Sequence, residues 1–144
     1  FVTRKITKAA ARIKLGKQDK LELGNLDAFR DWGFAGDYVK AMWLILQQDV
    51  PDDFVIASGE THSVRELLEL VFRHADLSVV EHVNTTSDLY RPTEVPKLWG
   101  DPSKAEEQLG WKRDMGFEDL IIHMYEEDLV RESGKNTQYS DILI

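Results

Sequence analysis

The stretch from Phe54 to Val83 constrains the fold more than any other part of the chain. Phe54-Val55-Ile56-Ala57 is a continuous apolar run bounded by Pro51-Asp52-Asp53 and Ser58-Gly59. That is the pattern of a strand buried on both faces within a parallel sheet. Ser63-Val64-Arg65-Glu66 follows as a capping box, and Leu67, Leu68, Val71 and Phe72 give the helix behind it a buried stripe. Residues 78–83 then alternate as another strand. Strand, capped helix and strand form a right-handed crossover unit, so the fold class read from the sequence is α/β.

The flanking segments fit the same class. Ile6, Ala9, Ala10 and Ile13 recur at helical spacing, and Gly16 stands where a C-terminal capping glycine belongs. Arg4, Lys5, Lys8, Arg12, Lys14 and Lys17 make the other faces of that helix basic, either as a solvated surface or as an island of positive potential for an anion. Leu21-Glu22-Leu23 reads as a short strand before the Gly24-Asn25 turn. From Ala35 to about Gln48, Tyr38, Val39, Met42, Trp43, Ile45 and Leu46 predict a helix buried on more than one side, with Met42 and Trp43 in the core. Asp101-Pro102 opens a helix that Gly110 closes, and Trp111 is expected to pack back on it. A last helix runs from about Phe117 to Arg131 and presents Leu120, Ile121, Met124 and Leu129; residues 133–144 read as a flexible tail after a binding portion spanning 1–132.

The chain has 144 residues, 42% hydrophobic and 31% charged, enough for one domain with a real core. Its net charge of -8 argues against nonspecific binding to nucleic acid or anionic membranes. No apolar run approaches the roughly 18 residues of a membrane span. With Cys 0, disulfides, thiolate catalysis and cysteine-based zinc sites are excluded, and a reducing, cytoplasmic home is expected. His62, His74, His82 and His123 lack metal-ligand spacing.

The chemistry concentrates at Arg30-Asp31-Trp32-Gly33-Phe34-Ala35-Gly36-Asp37-Tyr38-Val39. Arg30 offers a bidentate fork for phosphate or carboxylate, the glycines permit close backbone approach, and a helix follows as a rigid base. A surface turn held by an Arg–Asp pair is the plain alternative. Between Asn84 and Trp99 periodicity disappears. There Arg91, held extended by Pro92, reads as a second phosphate clamp, and Glu94 can accept ribose hydroxyls.

The run from Asn25 to Val39, continued by Ala41-Met42-Trp43, resembles the GDP-mannose 4,6-dehydratases, a branch of the extended short-chain dehydrogenase/reductases. Phe1-Val2-Thr3-Arg4-Lys5-Ile6, Ser58-Gly59-Glu60-Thr61-His62-Ser63-Val64-Arg65-Glu66 and Tyr90-Arg91-Pro92-Thr93-Glu94-Val95 with Gly100-Asp101 agree in the same order. The resemblance runs from Phe1 to about Val130. It implies the carboxyl-terminal, substrate-binding portion of a Rossmann-like fold whose N-terminal core is absent, in keeping with a chain that begins at Phe1 and reads as a fragment. It further implies that Val2 and Lys5 contact guanine, that Arg30 and Arg91 hold the diphosphate, and that Glu94 binds ribose. In the complete enzyme, NADP bound by the missing domain would take hydride from the sugar, water would leave, and the hydride would return to give GDP-4-keto-6-deoxymannose. A homo-oligomer is the expected assembly.

Two positions depart from the family pattern: Phe29 stands where lysine is usual, and Phe34 where histidine is usual. These replacements either weaken the phosphate site or let Phe34 cover the ligand or a partner. The insertion before Arg91 is short. No G-x-G-x-x-G or G-x-x-x-x-G-K-[ST] occurs, and the family's Tyr-x-x-x-Lys dyad and acid–base pair would lie upstream of Phe1. The chain alone is therefore expected to be inactive and to bind NADP poorly. A noncatalytic nucleotide-sugar module and a related GDP-sugar reductase or UDP-sugar epimerase are the alternative functions.

Overall fold

The computed structural model describes residues 1–90 and 93–134. Its main core is formed by three helices, α1 (Val2–Lys14), α3 (Val64–His74) and α6 (Phe117–Glu132), around which short strands are arranged. The stripe expected on α1 is buried: Ile6, Ala9, Ala10 and Ile13 face α3 and α6. Gly16 adopts φ 67°, its N–H bonds to Ile13 O, and the Lys17 N–H bonds to Arg12 O. Those two bonds satisfy carbonyls of the last helical turn, and the left-handed backbone they need favours glycine.

A buried carboxylate fixes α6 against α1. Asp128 accepts from Thr7 Oγ1 at 2.7 Å and pairs with Arg4 Nε at 2.8 Å. Burial of an acid on an otherwise apolar seam is tolerated because both oxygens are engaged. Leu120 and Ile121 lie in this core as expected, whereas Met124 and Leu129 only flank it.

Two small sheets flank the helices. β1 (Leu21–Leu23) pairs in parallel with β4 (Val83–Thr85), and β2 (Phe29–Arg30) pairs antiparallel with β3 (His62–Ser63). Phe29 also forms a parallel bridge with Lys97. The capping box at the start of α3 is complete: Ser63 Oγ accepts from the Glu66 N–H, and Glu66 Oε2 accepts from the Ser63 N–H.

A second, smaller core joins α2 (Ala35–Leu46) to α5 (Ser103–Leu109) through Ala41, Ala105, Leu109 and Trp111. Gly110 ends α5 at φ 63°. Trp111 is 1% exposed and donates its indole N–H to Asp37 O, the anchoring role expected of it.

Three expectations require correction. Residues 54–57 form no strand; Phe54 and Ile56 pack against the second core, but Val55 is 56% exposed and, among the described residues, no neighbouring strand pairs with them. Residues 78–83 are not one strand either: Ser78 caps a helical turn, α4 (Val79–His82), and only Val83 enters β4. Ser78 Oγ accepts from Glu81 N–H, so local capping overrides the alternating pattern. Finally, Met42 and Trp43 are 61% and 60% exposed, because α2 meets the second core through Tyr38, Ala41, Leu44 and Ile45 instead.

Candidate functional site

The segment before β2 is attached to the N-terminus of α3. Ala28 O accepts from Val64 N–H at 3.1 Å and Leu26 O from Arg65 N–H at 2.9 Å, satisfying amides left free at the start of a helix. This fixes the backbone from which Arg30 projects.

Arg30 and Asp31 then diverge. Asp31 turns inward, where its carboxylate accepts from Ser58 N–H at 2.8 Å and Gly59 N–H at 3.2 Å. Arg30 instead reaches Glu94 Oε1 at 2.9 Å and donates to the carbonyl oxygens of Phe29 at 2.6 Å and Val95 at 2.8 Å. The two residues form no pair with each other, which removes the reading of this motif as a turn held by an Arg–Asp pair. Three of the five guanidinium N–H groups are engaged, leaving two to donate to an anion.

Arg30 and Glu94 lie on the wall of a cleft of about 540 Å³ that Val2 and Lys5 also line. Four of the five residues singled out from the sequence are thus gathered around one cavity from three separated parts of the chain. The fifth, Arg91, lies outside the described residues. The first turn of α1 borders the cleft through Val2, Thr3 and Lys5 and contains no acidic side chain. Lys5 and Arg30 against Glu94 leave the lining net positive in a protein of net charge -8. An open, cationic cleft of this size with apolar walls suits a nucleotide diphosphate.

The cleft also contains Trp32, Asn25 and Leu89, which sequence reasoning did not assign to the site. Trp32 had a signal, its place between Arg30 and Gly33. Leu89 had none, since it lies in a 3-10 turn within an aperiodic stretch. Gly24 is required there by close approach: a Cβ at this position would come within 2.6 Å of Leu89 O. Phe34 does not line the cleft. It packs with Trp32 against the main core, so the substituted aromatic reinforces the base of the loop. Phe29 is held by backbone pairing to Ser63 and Lys97, with its side chain half exposed.

Trp32 stacks on Phe117 at 5.8 Å, and Phe117 stacks on His62 at 3.8 Å with a 5° interplanar angle. His62 and Phe117 border a second, acidic cavity of about 520 Å³ that includes Glu60, Glu66 and Asp119. There the hydrogen bond from Arg113 holds the Glu60 carboxyl below the usual carboxylate range, and Glu60 in turn raises Arg113.

The profile of the family described as GDP-mannose 4,6 dehydratase matches residues 1–124. The chain belongs to this family. GDP-mannose 4,6 dehydratase 1 of Arabidopsis thaliana is 57% identical over 129 residues, which cover 90% of this chain and 36% of that protein. Among solved structures, RMD from Pseudomonas aeruginosa, complexed with NADPH, superposes with a TM-score of 0.81 at 23% identity, covering 91% of this chain and 43% of that one. WbmG from Bordetella bronchiseptica, in complex with NAD and UDP, gives a TM-score of 0.65 at 28% identity over 88% of this chain and 40% of its own. The fold is therefore part of the extended short-chain dehydrogenase/reductase architecture. The chain spans little more than a third of the Arabidopsis relative it matches.

A nicotinamide dinucleotide does not fit the residues present. Its cradle needs a strand leading through a glycine-rich turn into a helix, so that backbone N–H groups face the pyrophosphate. Among the described residues no strand leads through such a turn into a helix: β3 runs directly into α3, and β2 reaches α2 through Asp31-Trp32-Gly33-Phe34, whose carboxylate and indole are committed to the contacts above. No helix among the described residues is long and apolar enough to cross a membrane.

Proposed function

We propose that this chain is the GDP-gripping portion of a GDP-mannose 4,6-dehydratase, a lyase that converts GDP-mannose to GDP-4-keto-6-deoxymannose. The observation that supports it is the convergence of Val2, Lys5, Arg30 and Glu94 on one cleft. Val2 provides an apolar contact for the base, and the Lys5 ammonium donates to the guanine carbonyl oxygen. Arg30, held in place by Glu94, directs its two remaining N–H groups at the diphosphate. Arg91, two residues before the Thr93-Glu94 pair, is assigned the opposite side of that diphosphate. Glu94 has a second carboxylate oxygen with which to accept a ribose hydroxyl.

Binding energy from this nucleotide handle would position the hexose at reactive groups carried elsewhere in the complete protein. NADP belongs to that other portion in this reading. Residues 1–132 are read as the binding portion; residues 135–144 lie outside the described residues. The complete enzyme is read as a cytoplasmic homo-oligomer.

Titration of the chain with GDP and UDP by calorimetry tests the assignment. Saturable GDP binding that exceeds UDP binding is expected, and Arg30→Ala should weaken it about ten- to a hundredfold. Equal affinity for both nucleotides, or an unchanged affinity in the variant, would reject it. Mixing the chain with GDP-mannose and NADP should give no 4-keto sugar.

A further inference from the structure

His62 reaches the nucleotide cleft by two routes without lining it. Its backbone pairs with that of Arg30 in the register of β2 and β3, so the residue assigned to the diphosphate is seated directly beside it. Its ring stacks on Phe117, and Phe117 in turn stacks on Trp32, which forms part of the cleft wall. Arg30 and Trp32, two positions apart, are thus both referred to one residue on the neighbouring strand.

The His62 ring is itself fixed. Nδ1 lies 3.1 Å from Glu66 Oε2, and a carboxylate oxygen only accepts, so Nδ1 is the donor. The same oxygen accepts the Ser63 N–H in the capping box, so the first turn of α3 sets the orientation of the imidazole. Nε2 is buried and makes no hydrogen bond among the described residues; Glu60 Oε1 stands 3.7 Å from it and is engaged by Arg113. A buried ring nitrogen without a partner costs stability, so packing alone does not explain an imidazole at this position. What the imidazole supplies is a flat ring whose angle Nδ1 holds.

That angle is passed on. The planes of His62 and Phe117 differ by 5° and those of Phe117 and Trp32 by 19°. Stacked rings hold one another's tilt, because the attraction depends on their mutual geometry. Phe117 is 7% exposed and has little room to turn, whereas Trp32 is only partly buried at the edge of the main core and needs this support. A steady indole beside Arg30 keeps water from the guanidinium and strengthens its bonds to an anion.

We infer that His62 is a positioning residue of the nucleotide cleft: its ring, locked to Glu66, sets the plane of Trp32 through Phe117. This rests on the reading of the cleft as the GDP site, and it adds a residue outside the cleft that governs its shape.

The parent chain, His62→Ala, His62→Gln and His62→Phe are compared by GDP calorimetry and by fluorine NMR after incorporation of fluorotryptophan, the Trp32 line being assigned from Trp32→Leu. His62→Ala is expected to weaken GDP binding about tenfold, the worth of one aromatic pair, and to move the Trp32 line while the Trp111 line stays in place. His62→Gln keeps a donor for Glu66 without a ring and should match His62→Ala. His62→Phe keeps the ring without the bond and should recover to within about threefold of the parent. A residue that merely stabilised the fold would shift the urea midpoint without producing this order. In a Trp32→Leu background, His62→Ala should change GDP affinity less than about twofold, because the indole is where the effect arrives. Parent-like affinity in folded His62→Ala, the same loss with and without Trp32, or tighter binding by the glutamine variant than by the phenylalanine variant would each overturn the proposal. So would movement of the Trp111 line together with that of Trp32, the mark of general loosening. If His62→Ala does not fold, the comparison of His62→Gln with His62→Phe decides. If the parent chain binds no GDP, the functional reading fails by itself and the Trp32 line decides the positioning: an unchanged line in His62→Ala rejects it, and a shift confined to Trp32 upholds it.

Discussion

Arg30 and Glu94, 64 positions apart, are joined by a 2.9 Å ion pair on the wall of the cleft, each side chain less than a quarter exposed. The carboxylate aims the guanidinium and also offsets its charge, so the two effects of Glu94 on an anionic ligand oppose one another. Glu94→Gln keeps the shape and removes the offset. Inorganic pyrophosphate should bind a few-fold tighter to this variant, while GDP, which also loses a ribose acceptor, should bind more weakly, by about tenfold. Competition titrations with both ligands check the pair of outcomes.

Lys5 projects from the first turn of α1 into the same cleft. Its ammonium is assigned to the guanine carbonyl oxygen, which uracil presents differently. Lys5→Ala should reduce the preference for GDP over UDP by about tenfold, the equivalent of one hydrogen bond to a charged donor. An unaltered ratio of dissociation constants would show that base selection lies elsewhere.

Asp31 should affect stability more than binding. Its oxygens receive the Ser58 and Gly59 amides, holding the start of the ligand loop against the turn after residues 54–57. Asp31→Ala leaves the partly buried Ser58 amide and the exposed Gly59 amide without their acceptor and should cost about 1–2 kcal/mol in urea denaturation. A midpoint equal to that of the unaltered chain would contradict this role.

The fold was legible where local rules and tertiary packing agree. The stripe of α1, the capping box of α3 and the glycine ending of α5 were all readable because each carries a local signature, which the packing of α1 on α3 and α6 and of Trp111 on Asp37 then agrees with. Met42 and Trp43 were not, since helical spacing states that a face is apolar without stating what covers it. Residues 54–57 misled for the same reason: their composition fits a strand, but among the described residues nothing pairs with them. Of the residues lining the cleft, Arg30 and Glu94 were singled out from the pattern around them and Val2 and Lys5 through the family resemblance. Leu89 and Asn25 enter the cleft only by chain folding, which no local pattern encodes. Phe34 is half-buried and packs, like Trp32, against the edge of the main core instead of facing the cleft.

Glu60 predicts a pH dependence. Its carboxyl is held below its ordinary range by the Arg113 hydrogen bond, so folding favours the ionised form. The resulting stabilisation is present above about pH 4.3, the unperturbed value for glutamate, and fades as the pH falls through the lower folded-state value. The pair is more than one-third exposed, so the effect should be small and weakened by salt. Glu60→Gln should bring the melting temperatures at pH 6 and pH 3 closer together than in the parent chain. An identical difference between the two temperatures in both proteins would exclude Glu60 as a contributor.

The stack of Trp32 on Phe117 gives the protein an optical report of its own. The four indoles occupy different settings: Trp111 is enclosed and bonded, Trp43 and Trp99 are about 60% exposed, and Trp32 alone borders the cleft with one ring face against Phe117. Trp43→Phe and Trp99→Phe would leave an emission spectrum divided between a buried reference and a single sensor. Its intensity on addition of a guanine nucleotide would then register events at the cleft without any label.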